Sequence, residues 1–188
     1  LSVPEVYKYS SNIGTIKIMQ AFGKDDFRAF MTRLGFDKQV PFELPEMRMP
    51  KVPEKFSEIV AATASFGHGI SISPLHMAQA YAGFVNDGLM VPVTLMRRSE
   101  AEAAGLGKQI ISPETSREMR YLMRLNALEG SGSRMNKIAN GYRAGGKTGT
   151  AEKVVKGRYA VGTNLNVFAS AFPLDNPRYV MVIVIDEP

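Results

Sequence analysis

Two hydrophobic periods occur in this chain, and they are segregated. Apolar residues recur at helical spacing in the earlier part and at strand spacing only near the end. Residues 164–172 alternate Leu165, Val167, Ala169 and Ala171 against Asn166, Phe168 and Ser170. Residues 179–185 form an unbroken apolar run rich in Val and Ile, which predicts a well-buried strand. Residues 151–155 are a shorter strand-compatible stretch. Three strands in succession with short connections predict an antiparallel meander. Helices first and strands last predict an α+β fold, with helices packed on one antiparallel sheet.

The helical part can be read piece by piece. Ile13, Ile16, Met19 and Gln20 follow helical spacing directly after Tyr9-Ser10-Ser11-Asn12, which places that tetrapeptide on a turn at a helix start. Asp25 reads as the N-cap of a second helix, with Phe27, Phe30, Met31 and Leu34 on one face and Gly35 as its stop. Residues 37–56 contain Pro41, Pro45, Pro50 and Pro53, which predicts a long ordered loop and no helix or central strand. Ser73-Pro74 and Ser112-Pro113 each read as an N-cap followed by an N1 proline. Leu75, Ala78, Ala82 and Val85 then continue the first of these helices until Asp87-Gly88. Met119, Leu122, Met123 and Leu125 point inward from the second. Residues 129–133 are a Gly/Ser break, and Asn140-Gly141 is a turn signal.

Composition narrows the chemistry. The chain has 188 residues, suited to one domain or most of one. It is 45% hydrophobic, enough for a packed core. It has no Cys, so disulfides and thiolate metal sites are excluded. His68 and His76 lack acidic partners at ligand spacing, so no metal site is expected. His76 reads as a helix-surface residue, and His68, set between Gly67 and Gly69, could line the floor of a cleft. The net charge is +5, but its densest cluster is only Arg97-Arg98, and no basic run is interleaved with aromatics. Nucleic acid is therefore not an expected partner. No phosphate loop or dinucleotide fingerprint occurs, and no cofactor is expected.

Gly146-Lys147-Thr148-Gly149-Thr150 carries more specific chemistry. On an exposed strand edge, Lys147 supplies a cation, and Thr148 and Thr150 place two hydroxyls on one face. Together they can hold a carboxylate by charge-assisted hydrogen bonds. Gly149 has no side chain, so a ligand can approach the backbone closely. An extended peptide could dock along such an edge. The plain alternative is a solvated hairpin edge. For Ser10-Ser11-Asn12 the plain alternative is an N-cap by Ser10 or Ser11, with Asn12 in the first turn.

A Lys-Thr-Gly-Thr segment with a Ser-x-Asn far upstream matches two of three motifs of penicillin-recognising acyl-transfer enzymes. Other carriers are residues 65–75, which run Ser-Phe-Gly-His-Gly-Ile-Ser-Ile-Ser-Pro-Leu, and residues 141–150, which end in the Lys-Thr-Gly-Thr segment. The run from Phe172-Pro173 to Asp186-Glu187-Pro188 is a further one. On these the chain resembles the transpeptidase domain of penicillin-binding proteins, most closely the division-specific class B members of the FtsI type. The resemblance implies the penicillin-binding and serine β-lactamase-like fold. It implies a serine D,D-transpeptidase that cross-links peptidoglycan stem peptides ending in D-Ala-D-Ala and is acylated by β-lactams. It also implies catalytic roles for Ser10, Asn12 and Lys147, and substrate binding by Thr148, Gly149 and Thr150, with the Thr150 N–H facing an oxyanion.

The third motif, Ser-x-x-Lys, is absent, since no serine here has Lys three positions later. The chain is therefore expected to be the C-terminal part, residues 1–188, of one such domain, with its nucleophile upstream. By resemblance the parent is held at the periplasmic face of the inner membrane by an N-terminal helix, among division proteins. A carboxypeptidase, a β-lactamase or a β-lactam sensor shares the same motifs. For the isolated chain, a non-catalytic binding module is the alternative.

Overall fold

The computed structural model describes residues 1–139, 141–155 and 158–188. The elements run α1 (Val3–Tyr9), α2 (Asn12–Phe22), α3 (Lys24–Arg33), α4 (Glu58–Ala64), α5 (Pro74–Val85), β1 (Leu89–Met90) and α6 (Glu100–Gly105). They continue with β2 (Lys108–Gln109), α7 (Pro113–Glu129), α8 (Ser133–Ile138), β3 (Gly145–Val155), β4 (Arg158–Phe172) and β5 (Tyr179–Asp186). Strands β3, β4 and β5 form one antiparallel sheet in that order, and β1 and β2 form a small separate pair. The architecture is α+β, with helices packed on an antiparallel meander.

The register explains where the core sits. Lys147 lies opposite Ala169, and Ala169 opposite Val182. Ala171 lies opposite Gly145 and Val180 on the same face. That face meets the helices: Val85 of α5 and Met123 of α7 join Ala171 and Leu174 in one buried cluster, with Tyr7, Tyr81 and Val180 packed around it. A second cluster, Leu34, Ala80 and Ile110, ties α3 to α5 and the strand pair. No helix among the described residues is long and apolar enough to cross a membrane.

Several expectations need correction. The run at β5 is not buried on both faces: Val180 and Val182 are half-buried, while Tyr179, Met181, Ile183 and Ile185 are exposed. Among the described residues, helices pack on the face that carries Val180 and Val182, and β5 lies at the edge of the sheet, so burial alternates from Tyr179 to Ile183 and is lost beyond it, where Val184 is exposed as well. His76 is not on a helix surface but is 1% exposed. The fully buried positions of α5 are His76, Ala80, Gly83 and Val85, so its inward face lies beside the predicted one. Residues 37–56 hold no helix and no strand beyond a single bridge at Lys51, and Lys38 lies against α5. The His76 Nε2–H donates to the Lys38 carbonyl at 2.9 Å, which leaves Nδ1 to accept from the Ser73 hydroxyl at 2.7 Å. That loop also touches the rest of the chain through an isolated bridge between Lys51 and Ser71.

At α3 the N-cap is Gly23, not Asp25. A single residue at φ +91° separates α2 from α3, so the helix begins early and Asp25 and Asp26 fall in its first turn. There the acids favour the helix dipole. On α2, Met19 is buried, but Ile13 is 71% exposed and lies off the inward stripe. The Gly/Ser stretch at 129–133 is a break of only three residues, 130–132, between α7 and the short α8, which the sequence pattern does not reveal. Gly141 has φ +95°, while Asn140 of the expected turn lies outside the described residues. The predicted 151–155 strand begins earlier, at Gly145, and so includes the whole Lys-Thr-Gly-Thr segment.

Candidate active site

The turn between α1 and α2 resolves the two serines. Ser11 is the N-cap of α2 and accepts from the Gly14 N–H at 3.1 Å. Ser10 ends α1 with φ 53° and ψ 46°, a left-handed conformation that costs a non-glycine residue about 1–2 kcal/mol. With capping done by Ser11, the Ser10 hydroxyl is free to face elsewhere. Helices α1 and α2 touch closely at this turn: a Cβ on Gly14 would stand 2.4 Å from a Val6 methyl. A side chain there would push the two helices apart and displace Ser10.

Strand β3 brings Lys147 to the same place. The Lys147 ammonium donates to Ser10 Oγ across 137 residues of chain, and also to the Thr148 carbonyl at 3.1 Å. Among the described residues Lys147 has no carboxylate partner. Burial alone pushes its pKa below the ordinary lysine range. A half-buried cation with no anion beside it is poised to take one from a ligand.

Thr148, Gly149 and Thr150 are exposed, and nothing lies within 4 Å of a Cβ placed on Gly149. Strand β3 pairs only with β4 among the described residues, so its other edge is open. Thr148 and Thr150 share a sheet face with Phe168 and Asn166. Asn12 is exposed in the first turn of α2, and its side chain makes no hydrogen bond among the described residues. The structure therefore brings Ser10, Lys147 and Thr148 together and leaves Asn12, Gly149 and Thr150 accessible. His68 is exposed, with its ring 6.2 Å from that of Phe66.

The sequence reading missed what holds this edge in place. Ser131 Oγ lies 2.7 Å from Thr148 Oγ1. Arg124 donates to the Ala144 carbonyl at 2.9 Å, just before β3. Lys8 of α1 and Glu129 of α7 form an ion pair at 3.0 Å that joins the Ser10 turn to the helix behind the strand. Gly145 is pressed onto α7, where a Cβ would stand 2.6 Å from the Met123 carbonyl oxygen. The only signal for these in the sequence is small residues, Gly130 to Ser133 and Gly145-Gly146, where the backbone must approach closely.

Comparisons with known proteins identify the family and the fold. The family model for the penicillin binding protein transpeptidase domain matches residues 1–188. A protein of Caulobacter vibrioides named "Probable peptidoglycan D,D-transpeptidase FtsI" is 38% identical over 195 residues, covering 100% of this chain and 33% of the relative. Stage V sporulation protein D of Bacillus subtilis is 31% identical, covering 98% of this chain and 30% of the relative. The chain thus spans about a third of the length of the curated relatives it matches. Among solved structures, the apo TP domain of penicillin-binding protein 3 from Burkholderia pseudomallei superposes with a TM-score of 0.91 at 32% identity, covering 100% of this chain and 57% of that one. Penicillin-binding protein 3 of Mycobacterium tuberculosis, complexed with aztreonam, superposes at 0.86 with 25% identity, covering 100% of this chain and 45% of that one.

Proposed function

The chain belongs to the transpeptidase-domain family of penicillin-binding proteins, and from that membership we propose that its parent protein is a serine D,D-transpeptidase of peptidoglycan. The observation that carries this reading is the meeting of Lys147 with Ser10, which joins two motifs that lie at opposite ends of the chain. A serine upstream of residue 1 attacks the carbonyl between the two D-Ala residues of a stem peptide. The peptide bond breaks, and the terminal D-Ala leaves as an amine after taking a proton. An amine of a neighbouring stem then attacks the acyl-serine, and the serine hydroxyl regains its proton. This is covalent catalysis in two steps.

The residues of this chain divide the work. Lys147, Thr148 and Thr150 hold the terminal carboxylate of the donor. Ser10, held by the Lys147 ammonium, passes a proton to the leaving amine. The backbone N–H of Thr150 donates to the oxyanion, and such a donor is worth about 3–4 kcal/mol in the transition state. Gly149 lets the donor peptide lie against the strand edge. Asn12 offers both a donor and an acceptor, to the substrate amide and to the lysine of the upstream motif. A β-lactam presents the same carbonyl and carboxylate, but its leaving amine stays tethered in the opened ring, so the adduct persists. The parent works in septal wall synthesis at the periplasmic face of the inner membrane, beside division proteins.

Labelled-penicillin acylation of the full-length protein, read by intact mass and peptide mapping, tests this. One adduct is expected, on a serine three positions before a lysine and upstream of residue 1. An adduct on any serine of residues 1–188 would overturn the assignment of the nucleophile, and no adduct would remove the enzyme reading.

A further inference from the structure

Asn126, in the last turn of α7, is 0% exposed. Its Nδ2 donates to the Gly146 carbonyl at 2.8 Å. Its Oδ1 accepts from the Ser131 N–H at 3.1 Å and lies 3.3 Å from Ser131 Oγ. One side-chain amide therefore grips the residue just before Lys147. It also grips the loop residue whose hydroxyl meets Thr148, just after Lys147. The surrounding glycines leave room for it: a Cβ on Gly130 would stand 2.2 Å from Asn126 Oδ1, and one on Gly132 would stand 3.2 Å from Nδ2. A buried amide is costly unless its donors and acceptors are satisfied, and here they are satisfied by the site edge and its flanking loop.

We infer that Asn126 is a positioning residue that holds Lys147 and Thr148 where they can take the ligand carboxylate. The inference rests on the carboxylate role given above to Lys147 and the two threonines. The Ser131 hydroxyl donates to Asn126 Oδ1 at 3.3 Å and lies 2.7 Å from Thr148 Oγ1. Asn126 Oδ1 has two lone pairs, so it accepts the Ser131 N–H and the Ser131 hydroxyl together. Its Nδ2 fixes the Gly146 carbonyl at the same time. Lys147 is therefore held from the residue before it and from the loop that touches the residue after it. Without Asn126 the Gly146 carbonyl and the Ser131 loop both lose their anchor, and Lys147 and Thr148 lose their common position.

The test is second-order acylation of the full-length protein by benzylpenicillin and by its methyl ester, in the unsubstituted form and in Asn126→Ala and Asn126→Ser. The ratio of the two rates cancels any fraction of protein that is misfolded. The unsubstituted protein is expected to prefer the free acid, and both variants to lose about tenfold of that preference, the loss of one charge-assisted hydrogen bond. The ester rate should change far less. A preference unchanged in either folded variant would overturn the role of Asn126 while leaving the carboxylate reading intact. Equal rates for acid and ester in the unsubstituted protein would overturn the carboxylate reading, and this inference with it.

Discussion

Lys147 carries the most exacting demands in this molecule. Its ammonium is half-buried, touches Ser10, and has no acidic neighbour among the described residues. Its replacement by alanine in the full-length protein is expected to lower penicillin acylation by about 100- to 1,000-fold, the scale of a lost charge-stabilising donor. A stopped-flow acylation rate within threefold of the unsubstituted protein would remove the clamp role. The pH dependence has a definite sign. Burial lowers the Lys147 pKa, so the cation is lost at a pH below the ordinary lysine value of about 10.4. Acylation should therefore fall on an alkaline limb below that value. Lys147→Arg, which stays charged, should move the limb upward, and an unmoved limb would assign it to another group. Ser10 shows how a motif residue differs from a capping residue: its neighbour Ser11 caps the helix, and Ser10 sits in the left-handed region with its hydroxyl on Lys147.

At the scale of elements, the packing turns on three tight joints, the first two of which lie beside the site. The first is the end of α7 against the loop at residues 130–132. Gly130→Ala would force a Cβ against Asn126 Oδ1 and the Lys8 carbonyl, which lies 3.0 Å from that position. Overpacking of this kind costs about 1–3 kcal/mol, so a lowered melting temperature is expected, and an unchanged one would show that the loop yields freely. The second joint is Gly145 on α7, which sets the height of β3. The third is His76, which holds the loop at residues 37–56 through the Lys38 carbonyl. His76→Ala removes that donor together with a side chain that is 1% exposed, at a cost of about 0.5–3 kcal/mol. Faster limited proteolysis within residues 37–56 is the expected result, and an unchanged cleavage pattern would mean that other contacts hold the loop. These joints differ in how visible they are beforehand. Helix starts at Ser73-Pro74 and Ser112-Pro113 are local signals and were readable as such. His76 and Asn126 were not, because a polar residue on a helix shows its burial only through partners far along the chain.

At the scale of the whole chain, the helices among the described residues pack on one face of the sheet. Met181, Ile183 and Ile185 stand exposed on the face that also carries Phe168. Contiguous apolar surface of this kind draws water-averse partners. Residues 1–188 expressed alone are expected to bind an apolar fluorescent dye, and Ile183→Lys with Ile185→Lys to reduce that signal. Dye binding unaffected by the pair would place the exposed surface elsewhere.

The amino-acid sequence by itself determined what is local: the segregation of helices and strands, the antiparallel order of the last three strands, the proline-rich loop, and the two short motifs. Each depends on neighbours a few residues apart, where spacing and side-chain type are decisive. Tertiary structure alone decided that Ser10 and Lys147 meet, that Asn126 and Ser131 stand behind Thr148, that His76 is buried, and that β5 is covered on one face. All four are contacts, or absences of contact, between segments far apart in sequence. Apolar periodicity says which residues can be buried, while the packing of whole elements decides which of them are.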